Sequence, residues 1–278
     1  MEILIYFFIF LFGLAVGSFL NCVIYRLERG ESFFSGRSYC PHCQHVLNWQ
    51  DLIPVFSFLI LKGKCRYCSQ KISWQYPLVE LATALLFISL LNLTQVRPVY
   101  NLTQVGPVYF CLLLISCFLV IIFVYDLRHY IIPDKVVYPA IGIAFLYQLF
   151  GTFEFRVSNL FRVSSFEFRI FEPMLNPLFS AILASIFFLL IVLVSKGKWM
   201  GVGDIKLAFL MGLILGWPNI LVALFLAFSI GAIIGIGLII LGKKTLKSEV
   251  PFGPFLVTGT FIALFFGNQI INWYFNLF

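Results

Sequence analysis

Three of the four aspartates in this 278-residue chain stand at the ends of long apolar runs. Asp126 ends one run, Asp134 opens the next, and Asp204 opens a later one. An acid at the edge of a membrane span is costly to desolvate and therefore indicates function by default. Two carboxylates at one depth on different helices are typical of an aspartic-protease dyad, in which like charges a few ångströms apart share one proton.

In such a dyad the ionised carboxylate deprotonates a water, and the protonated one donates to the developing oxyanion. The chain has three histidines, of which only His129 is near an apolar run, so Ser/His and Cys/His sets compete poorly. Simpler alternatives stay open for two aspartates. Asp134 follows Pro133 and suits a helix start, where a carboxylate accepts free backbone N–H groups. Asp126 could merely pair with Arg128 or with His129.

Asp204 lies in a glycine-containing motif, Gly201-Val202-Gly203-Asp204. Glycine has no Cβ, so Gly201 and Gly203 would let a peptide or another helix approach the backbone closely. This context favours a functional role for Asp204 over simple helix capping.

Four cysteines form two C-x2-C pairs, Cys40 with Cys43 and Cys65 with Cys68, separated by 21 residues. Two such pairs supply the four thiolates of a tetrahedral zinc site, and the spacing is close to that of zinc ribbons. With four protein ligands the site would be closed, so the zinc would be structural. His42 and His45 could compete as ligands, and four idle thiols are the bland alternative. The other three cysteines, Cys22, Cys111 and Cys117, read as small buried hydrophobes.

The elements that must position these groups are membrane helices. Hydrophobic residues make up 61% of the chain and charged residues 11%, against roughly a quarter charged in soluble domains. About 20 apolar residues cross a hydrocarbon core of ~30 Å. Eight runs approach that length, with soft edges: 3–21, 77–91, 108–125, 131–151, 176–195, 204–217, 219–241 and 252–272.

Basic residues orient these runs. Most of them fall on one side, which the positive-inside rule makes cytoplasmic, so both termini should lie outside the cytoplasm. The net charge of +7 then follows from topology and attraction to anionic lipid, and no nucleic acid is needed to explain it. The residues on the predicted cytoplasmic side are Arg26, Arg29, Arg37, Lys62, Lys64, Arg66, Lys71, Arg128, Lys196, Lys198, Lys206, Lys243, Lys244 and Lys247.

Two stretches on the opposite side are repetitive. Residues 92–100 recur almost unchanged as 101–109, and residues 153–170 shuffle short Phe-Glu-Phe-Arg and Phe-Arg-Val-Ser themes. The copies are too few and too short for a solenoid. We interpret these outer loops, 92–109 and 153–172, as insertions without a catalytic role, with a docking loop as the alternative.

An ordered set of motifs spans nearly the whole chain outside those loops. Together they resemble the bacterial type IV prepilin leader peptidase family, and the G-x-G-D context is similar to that of presenilin-type intramembrane proteases. The motifs are Gly17-Ser18-Phe19-Leu20-Asn21-Cys22, Cys40-Pro41-His42-Cys43, Asp51-Leu52-Ile53-Pro54, Gly63-Lys64-Cys65-Arg66-Tyr67-Cys68, Tyr76-Pro77-Leu78-Val79-Glu80, Asp126-Leu127-Arg128, Ile132-Pro133-Asp134 and Gly201-Val202-Gly203-Asp204-Ile205-Lys206.

The resemblance implies a bifunctional enzyme of the bacterial cytoplasmic (inner) membrane. Its family cleaves a basic leader from type IV prepilins or type II secretion pseudopilins at the cytoplasmic face. Many members then N-methylate the new N-terminus with S-adenosylmethionine. The active-site aspartates match Asp126 and Asp204. Gly201, Gly203 and Lys206 are candidate substrate-binding residues, and Glu80 could bind the substrate's ammonium or simply cap a helix.

The sequence therefore predicts an all-α polytopic membrane protein of about eight transmembrane helices with a small zinc-ribbon-like insert. We expect a first transmembrane helix at 1–21, a cytoplasmic tetracysteine domain at 22–76 and a transmembrane peptidase domain at 77–278. The alternative function is a transporter or a non-catalytic membrane scaffold carrying a zinc ribbon. A transporter should show paired broken helices in an internal repeat, and the sequence shows none.

Overall fold

A computed structural model of the chain describes residues 2–32, 36–96, 102–153, 171–197, 200–242 and 250–277. The described residues are mostly helical and contain no β-strand, which confirms the all-α class. The long helices are α1 (Glu2–Arg29), α3 (Gln75–Val96), α4 (Leu102–His129), α5 (Asp134–Phe153), α6 (Phe171–Ser195), α7 (Val202–Leu215), α8 (Asn219–Ile240) and α9 (Gly253–Phe275). The short elements are a 3₁₀ turn (Trp49–Leu52) and α2 (Phe56–Ile60).

Each of the eight predicted apolar runs forms one of the long helices. In lipid every backbone polar group must be satisfied within the segment, so a lone apolar run that crosses a bilayer is helical. Among the described residues, α1, α3, α4, α6, α8 and α9 are long and apolar enough to span a membrane. The other two long helices, α5 and α7, do not meet those length and composition limits. Residues 97–101 of the first repeat and 154–170 of the second repetitive stretch lie outside the described residues. The rest of the first repeat, which we interpreted as a loop, belongs to the ends of α3 and α4.

The chain divides into two compact units, Met1–Val96 and Arg97–Phe278. In the first unit, α1 and α3 pack antiparallel at very short range. A Cβ added at Gly13 would lie 2.6 Å from the Cα of Ala84, and one at Gly17 would lie 2.6 Å from the Cα of Glu80. Glycine at these two positions lets the backbones of the helices touch.

The same helix pair is tied by polar side chains at both ends. Near the start of α1, the Tyr6 hydroxyl donates to Asn92 Oδ1 at 2.6 Å. Near the other end, Asn21 Nδ2 donates to the carbonyl oxygen of Tyr76 at 3.0 Å. These bonds fix the register, so that Asn21 lies beside the beginning of α3.

In the second unit, α7 is the central helix and packs against α5, α6, α8 and α9. It is short, 14 residues, and many of its side chains are buried. A Cβ at Gly212 would collide with the backbone of Ala181 in α6, so α6 and α7 also touch backbone to backbone. A helix that is apolar on every side belongs in an interior. The helix that carries Asp204 is therefore held by neighbours on all sides.

Two helix boundaries in this unit bring the conspicuous aspartates to helix ends. α4 ends at His129, after which Tyr130 adopts a positive φ of 58° and Pro133 precedes the start of α5 at Asp134. α7 begins after Gly201 and ends at Leu215, before Gly216, whose φ of 66° stops the helix.

Candidate active site and metal site

The four paired cysteines converge in the first unit. Their sulfur atoms all lie within 4.8 Å of one another, and the Sγ atoms of Cys40 and Cys68 are 3.9 Å apart. Four thiolates at ~2.3 Å from one zinc ion would be separated by about 3.8 Å in a tetrahedron. The cluster can therefore hold one metal ion, and its spacing fits zinc with four sulfur ligands.

The two cysteine pairs have the same local backbone. In the first, the N–H of Gln44 donates to the carbonyl of Cys40, and the N–H of Cys40 donates to that of His45. In the second, Ser69 donates to Cys65 and Cys65 donates to Gln70. Gln44 and Ser69 both take positive φ angles, 56° and 57°. Each pair is thus a tight turn that presents two sulfur atoms on one side.

Asp51 holds the second of these turns. Its Oδ1 accepts a hydrogen bond from Arg66 Nε at 2.8 Å, and its Oδ2 accepts one from the Tyr67 hydroxyl at 3.0 Å. Desolvation and the hydrogen bond to Asp51 raise the pKa of the Tyr67 phenol, so it keeps its proton and acts as the donor. Arg66 and Tyr67 are the two residues between Cys65 and Cys68, so Asp51 orients the metal-binding turn from outside it.

His45 is not one of the clustered ligands. Its ring lies 3.7 Å, centroid to centroid, from the ring of Tyr67. Among the described residues, the groups that could hold a metal ion consist of the four cysteines alone.

In the second unit, Asp126 lies near the C-terminus of α4 and is only 4% exposed. Its Oδ2 accepts a hydrogen bond from the backbone N–H of Gly253 at 3.0 Å. Gly253 is the first residue of α9, where backbone N–H groups have no partner inside the helix. Asp126 therefore caps a helix far from it in sequence.

Asp204 lies in the first turn of α7 and is 8% exposed. Its Oδ2 accepts a hydrogen bond from the N–H of Gly201 at 3.1 Å, which caps the beginning of its own helix. Both carboxylates therefore accept a backbone N–H at a helix N-terminus, where the helix dipole favours negative charge.

The two aspartates line one cavity of about 360 Å³. Two buried carboxylates that face a common space can share a proton and bind a water between them, which is the arrangement an aspartic dyad needs. The remaining lining is of mixed character and comes from the link between α4 and α5, the start of α5, the segment after α6, the start of α7 and the segment before α9: Tyr130, Ile131, Ile132, Asp134, Gly197, Met200, Gly201, Val202, Gly203, Lys206, Val250, Pro251 and Phe252.

The two glycines of the Asp204 motif have different surroundings. A Cβ on Gly201 would meet only Asp204 Oδ2 and Gly203 N, both at 3.9 Å, so Gly201 leaves space beside the carboxylate. A Cβ on Gly203 would lie 3.0 Å from the Cβ of Ile132, which is itself buried. Free space is thus found beside Gly201, whereas Gly203 permits close packing within the protein.

Asp134 and Lys206 form an ion pair at the edge of the same cavity. Lys206 Nζ lies 2.6 Å from Asp134 Oδ1 and 5.1 Å from the ring centroid of Tyr138. Asp134 is the first residue of α5, in agreement with its interpretation as a helix-start residue. Its side chain is 58% exposed, which contrasts with the burial of the other two aspartates.

Glu80 lies in the first unit, where it is 6% exposed. Its Oε2 accepts a hydrogen bond from the backbone N–H of Val55 at 2.7 Å. A role in binding the substrate's ammonium stays a prediction.

Gly253 is the residue at this site that the sequence did not single out. Its N–H holds Asp126, and a Cβ there would lie 2.6 Å from Asp126 Oδ2. In the sequence, the Gly253-Pro254 pair at the start of an apolar run indicates a helix start. It does not indicate that Asp126 lies opposite.

Family models match both parts of the chain. A model of the bacterial peptidase A24 N-terminal domain matches residues 11–93, and a model of the type IV leader peptidase family matches residues 112–236. No solved structure matches the chain significantly.

Proteins named prepilin leader peptidase/N-methyltransferase are similar over almost the full length. The Aeromonas hydrophila protein is 34% identical over 96% of this chain and 92% of its own length. The Bacillus subtilis protein is 31% identical over 97% of both chains. The Legionella pneumophila protein is 32% identical over 95% of this chain and 92% of its own length.

Proposed function

We propose that this chain, which belongs to the type IV leader peptidase family, is a membrane aspartic endopeptidase that removes the leader of type IV prepilins or type II secretion pseudopilins. The observation that carries the proposal is the cavity shared by two buried carboxylates, Asp126 and Asp204. They come from different helices, and each is oriented by a backbone N–H. We place the protein in the bacterial inner membrane, with the cavity toward the cytoplasm and both termini outside it.

In this mechanism one aspartate is ionised and removes a proton from a water held between the two. The water oxygen attacks the scissile carbonyl, and the other aspartate donates its proton to the developing oxyanion. Collapse of the tetrahedral intermediate breaks the peptide bond, and a proton returned from the dyad leaves with the new amine. The N–H groups of Gly253 and Gly201 keep the two carboxylates oriented throughout.

Substrate binding would use the open side of the dyad. Gly201 leaves space for an extended backbone beside Asp204, and Lys206 and Asp134 form a charged edge to the cavity. A basic leader would stay on the cytoplasmic side because the charge of that leaflet attracts it. The apolar stretch that follows the leader would lie among the spans.

Methylation of the new N-terminus with S-adenosylmethionine is the second part of the proposal. It is supported by the names of the relatives, which join the two activities. No residue of this chain is assigned to the methyl donor. Mass spectrometry of the cleaved product would detect the methyl group directly.

The metal in the tetracysteine cluster is proposed to be a structural zinc ion, within a small domain spanning 22–76. Cys40, Cys43, Cys65 and Cys68 would bind it and leave no open position for a water. Zinc here would supply folding free energy and no catalytic chemistry.

Replacement of either buried aspartate should abolish cleavage. Asp126→Asn and Asp204→Asn keep the shape of the carboxylate and can still accept the glycine N–H, but they cannot shuttle a proton. We expect the rate of cleavage of a synthetic prepilin by detergent-purified protein to fall at least about a hundredfold in each variant. The matched control is Asp134→Asn, which removes the ion pair with Lys206 and should keep a substantial fraction of activity. Full activity in either dyad variant would contradict the assignment, and a transporter or scaffold would then be favoured.

Gly253→Ala should slow cleavage through the position of Asp126. The added Cβ would lie 2.6 Å from Asp126 Oδ2 and 3.1 Å from its Cγ, so the carboxylate must move. We expect kcat to fall at least about tenfold with little change in KM, because about 1.4 kcal/mol of misplacement suffices. The control is Gly142→Ala in α5, where a Cβ would meet nothing within 4 Å. Parental kcat in Gly253→Ala would show that this contact does not position the dyad.

Leucine at the two motif glycines should give different defects. At Gly201, whose φ of −83° suits any residue, the side chain would enter the cavity and block the peptide without disturbing the fold. At Gly203 it would collide with Ile132 and also lower the stability, by about 1–3 kcal/mol. Cleavage assays and thermal unfolding in detergent measure both effects. A Gly201→Leu protein that cleaves at the parental rate would place the substrate elsewhere.

Freshly purified protein should contain about one zinc ion per chain. A Cys65→Ser/Cys68→Ser variant should lose the metal and expose the segment 22–76 to protease, because metal binding stabilises the folded insert. Cys117→Ser, outside the cluster, should keep it. Elemental analysis that finds no zinc in unchelated parental protein would rule out this metal.

A further inference from the structure

The insert between α1 and α3 presents large apolar side chains to the exterior. Six residues of the segment 49–60 are between 38% and 73% exposed. They belong to the 3₁₀ turn, to α2 and to Ile53 between these two elements. They are Trp49, Leu52, Ile53, Phe56, Leu59 and Ile60, which we call the apolar surface of the insert.

The register of α1 against α3 shows how deep this surface lies. The spanning part of α3 is Gln75–Thr94, 20 residues. At 1.5 Å per residue this is about 30 Å, which leaves no surplus over the thickness of the hydrocarbon core. The cytoplasmic boundary of the core therefore lies near Gln75, at the level of Asn21 in α1, whose side chain bonds Tyr76.

Glu80 is deeper than this boundary by five residues of α3, or about 7.5 Å. It lies beside Gly17, also well inside the spanning part of α1. The backbone N–H of Val55 nevertheless reaches Glu80 Oε2 at 2.7 Å. A helical side chain leans toward the N-terminus of its helix, so Glu80 Oε2 lies between its own backbone and the boundary at Gln75. Val55, the residue before α2, therefore lies at or just inside the membrane boundary.

The hydrogen bond from Val55 explains why a buried carboxylate, Glu80, stands at this position in α3. An unpaired backbone N–H is costly in hydrocarbon, and Glu80 accepts the hydrogen bond of the Val55 N–H. Val55 also takes a φ of 60°, which is unfavourable for a β-branched residue and is offset by the bond to Glu80. Phe58 is the inward side chain of α2, 8% exposed, with its ring 4.9 Å from that of Trp74.

We propose that residues 53–60 dip into the cytoplasmic leaflet and that the apolar surface of the insert binds lipid. The zinc-ribbon-like insert would then be a membrane-embedded element, anchored to α3 through Glu80. The occupant is lipid: acyl chains contact Ile53, Phe56, Leu59 and Ile60, and headgroups meet Trp49 at the interface, where tryptophan is favoured.

The basic residues that follow the apolar surface of the insert in sequence would attract anionic lipid headgroups. Lys62, Lys64 and Lys71 are exposed just beyond it, and the sequence from 52 to 79 contains no acid. Arg66 is engaged by Asp51, so the three lysines carry the positive charge of this edge. Each lysine close to an anionic leaflet contributes about 1 kcal/mol to binding.

Depth-dependent fluorescence quenching tests the proposal. All five tryptophans, Trp49, Trp74, Trp199, Trp217 and Trp273, are replaced by phenylalanine, and one probe is added as Phe56→Trp or, for the control, Glu28→Trp. Glu28 is exposed on the part of α1 that extends beyond the level of Gln75. The proteins are reconstituted in vesicles of phosphatidylcholine and phosphatidylglycerol with bromine on the acyl chains near the headgroup. We expect the probe at 56 to be quenched at least about twofold more than the probe at 28.

A second probe guards against loss of structure. A chain that keeps native Trp49 and has phenylalanine at the other four tryptophan positions needs no new side chain and should also be quenched more than the probe at 28. Circular dichroism and gel filtration in detergent check the fold of each protein without reference to activity.

Two results would overturn the proposal. Equal quenching at 56, 49 and 28 would mean that the apolar surface is in water. Quenching at 56 that disappears when saturating synthetic prepilin is added would assign the surface to the substrate helix in place of lipid. Neither result depends on whether Asp126 and Asp204 are catalytic.

Discussion

Three buried acids each accept a hydrogen bond from a backbone N–H at the beginning of a helix, and the sites described above depend on this interaction. Asp126 accepts from Gly253 at the start of α9, and Asp204 accepts from Gly201 before α7. Glu80 accepts from Val55 before α2. Such a bond satisfies two groups at once, because a helix begins with N–H groups that have no partner and a buried carboxylate needs donors.

For the dyad, this interaction has both geometric and electrostatic consequences. A backbone donor orients each carboxylate without a second charged side chain, and among the described residues the hydrogen bonds recorded for Asp126 and Asp204 come from backbone N–H groups. The positive end of a helix dipole also favours the ionised form, while burial opposes it. An aspartic-protease pair needs one ionised and one protonated carboxylate. The helix dipole and burial act in opposite directions on ionisation, so together they allow the two carboxylates to share a single proton. The exposed Asp134, paired with Lys206, lacks both features.

In the first unit the same interaction joins the insert to the helix pair. The tetracysteine cluster is organised by two equivalent turns and by Asp51, and all of that lies in the polar part of the insert. The apolar segment beside it is joined to α3 by the hydrogen bond from the Val55 N–H to Glu80, near the beginning of that helix. One carboxylate in this unit therefore holds a cysteine-pair turn from outside, and another holds the beginning of α2 against α3.

The class of the protein, the position of its helices and the four cysteines that cluster could all be predicted from the sequence. Those features depend on local quantities: the length of apolar runs, the spacing within C-x2-C pairs and the types of residue that bind zinc. The expectation that Asp134, which follows a proline, stands at a helix start is confirmed, because Asp134 is the first residue of α5. The rest depended on contacts between distant residues. Only the tertiary structure brought Gly253 to Asp126, 127 positions away, and Val55 to Glu80. It likewise showed that the space at Gly203 is filled by Ile132 while that at Gly201 is open, because a missing Cβ becomes a site or a packing contact according to what the fold places opposite it.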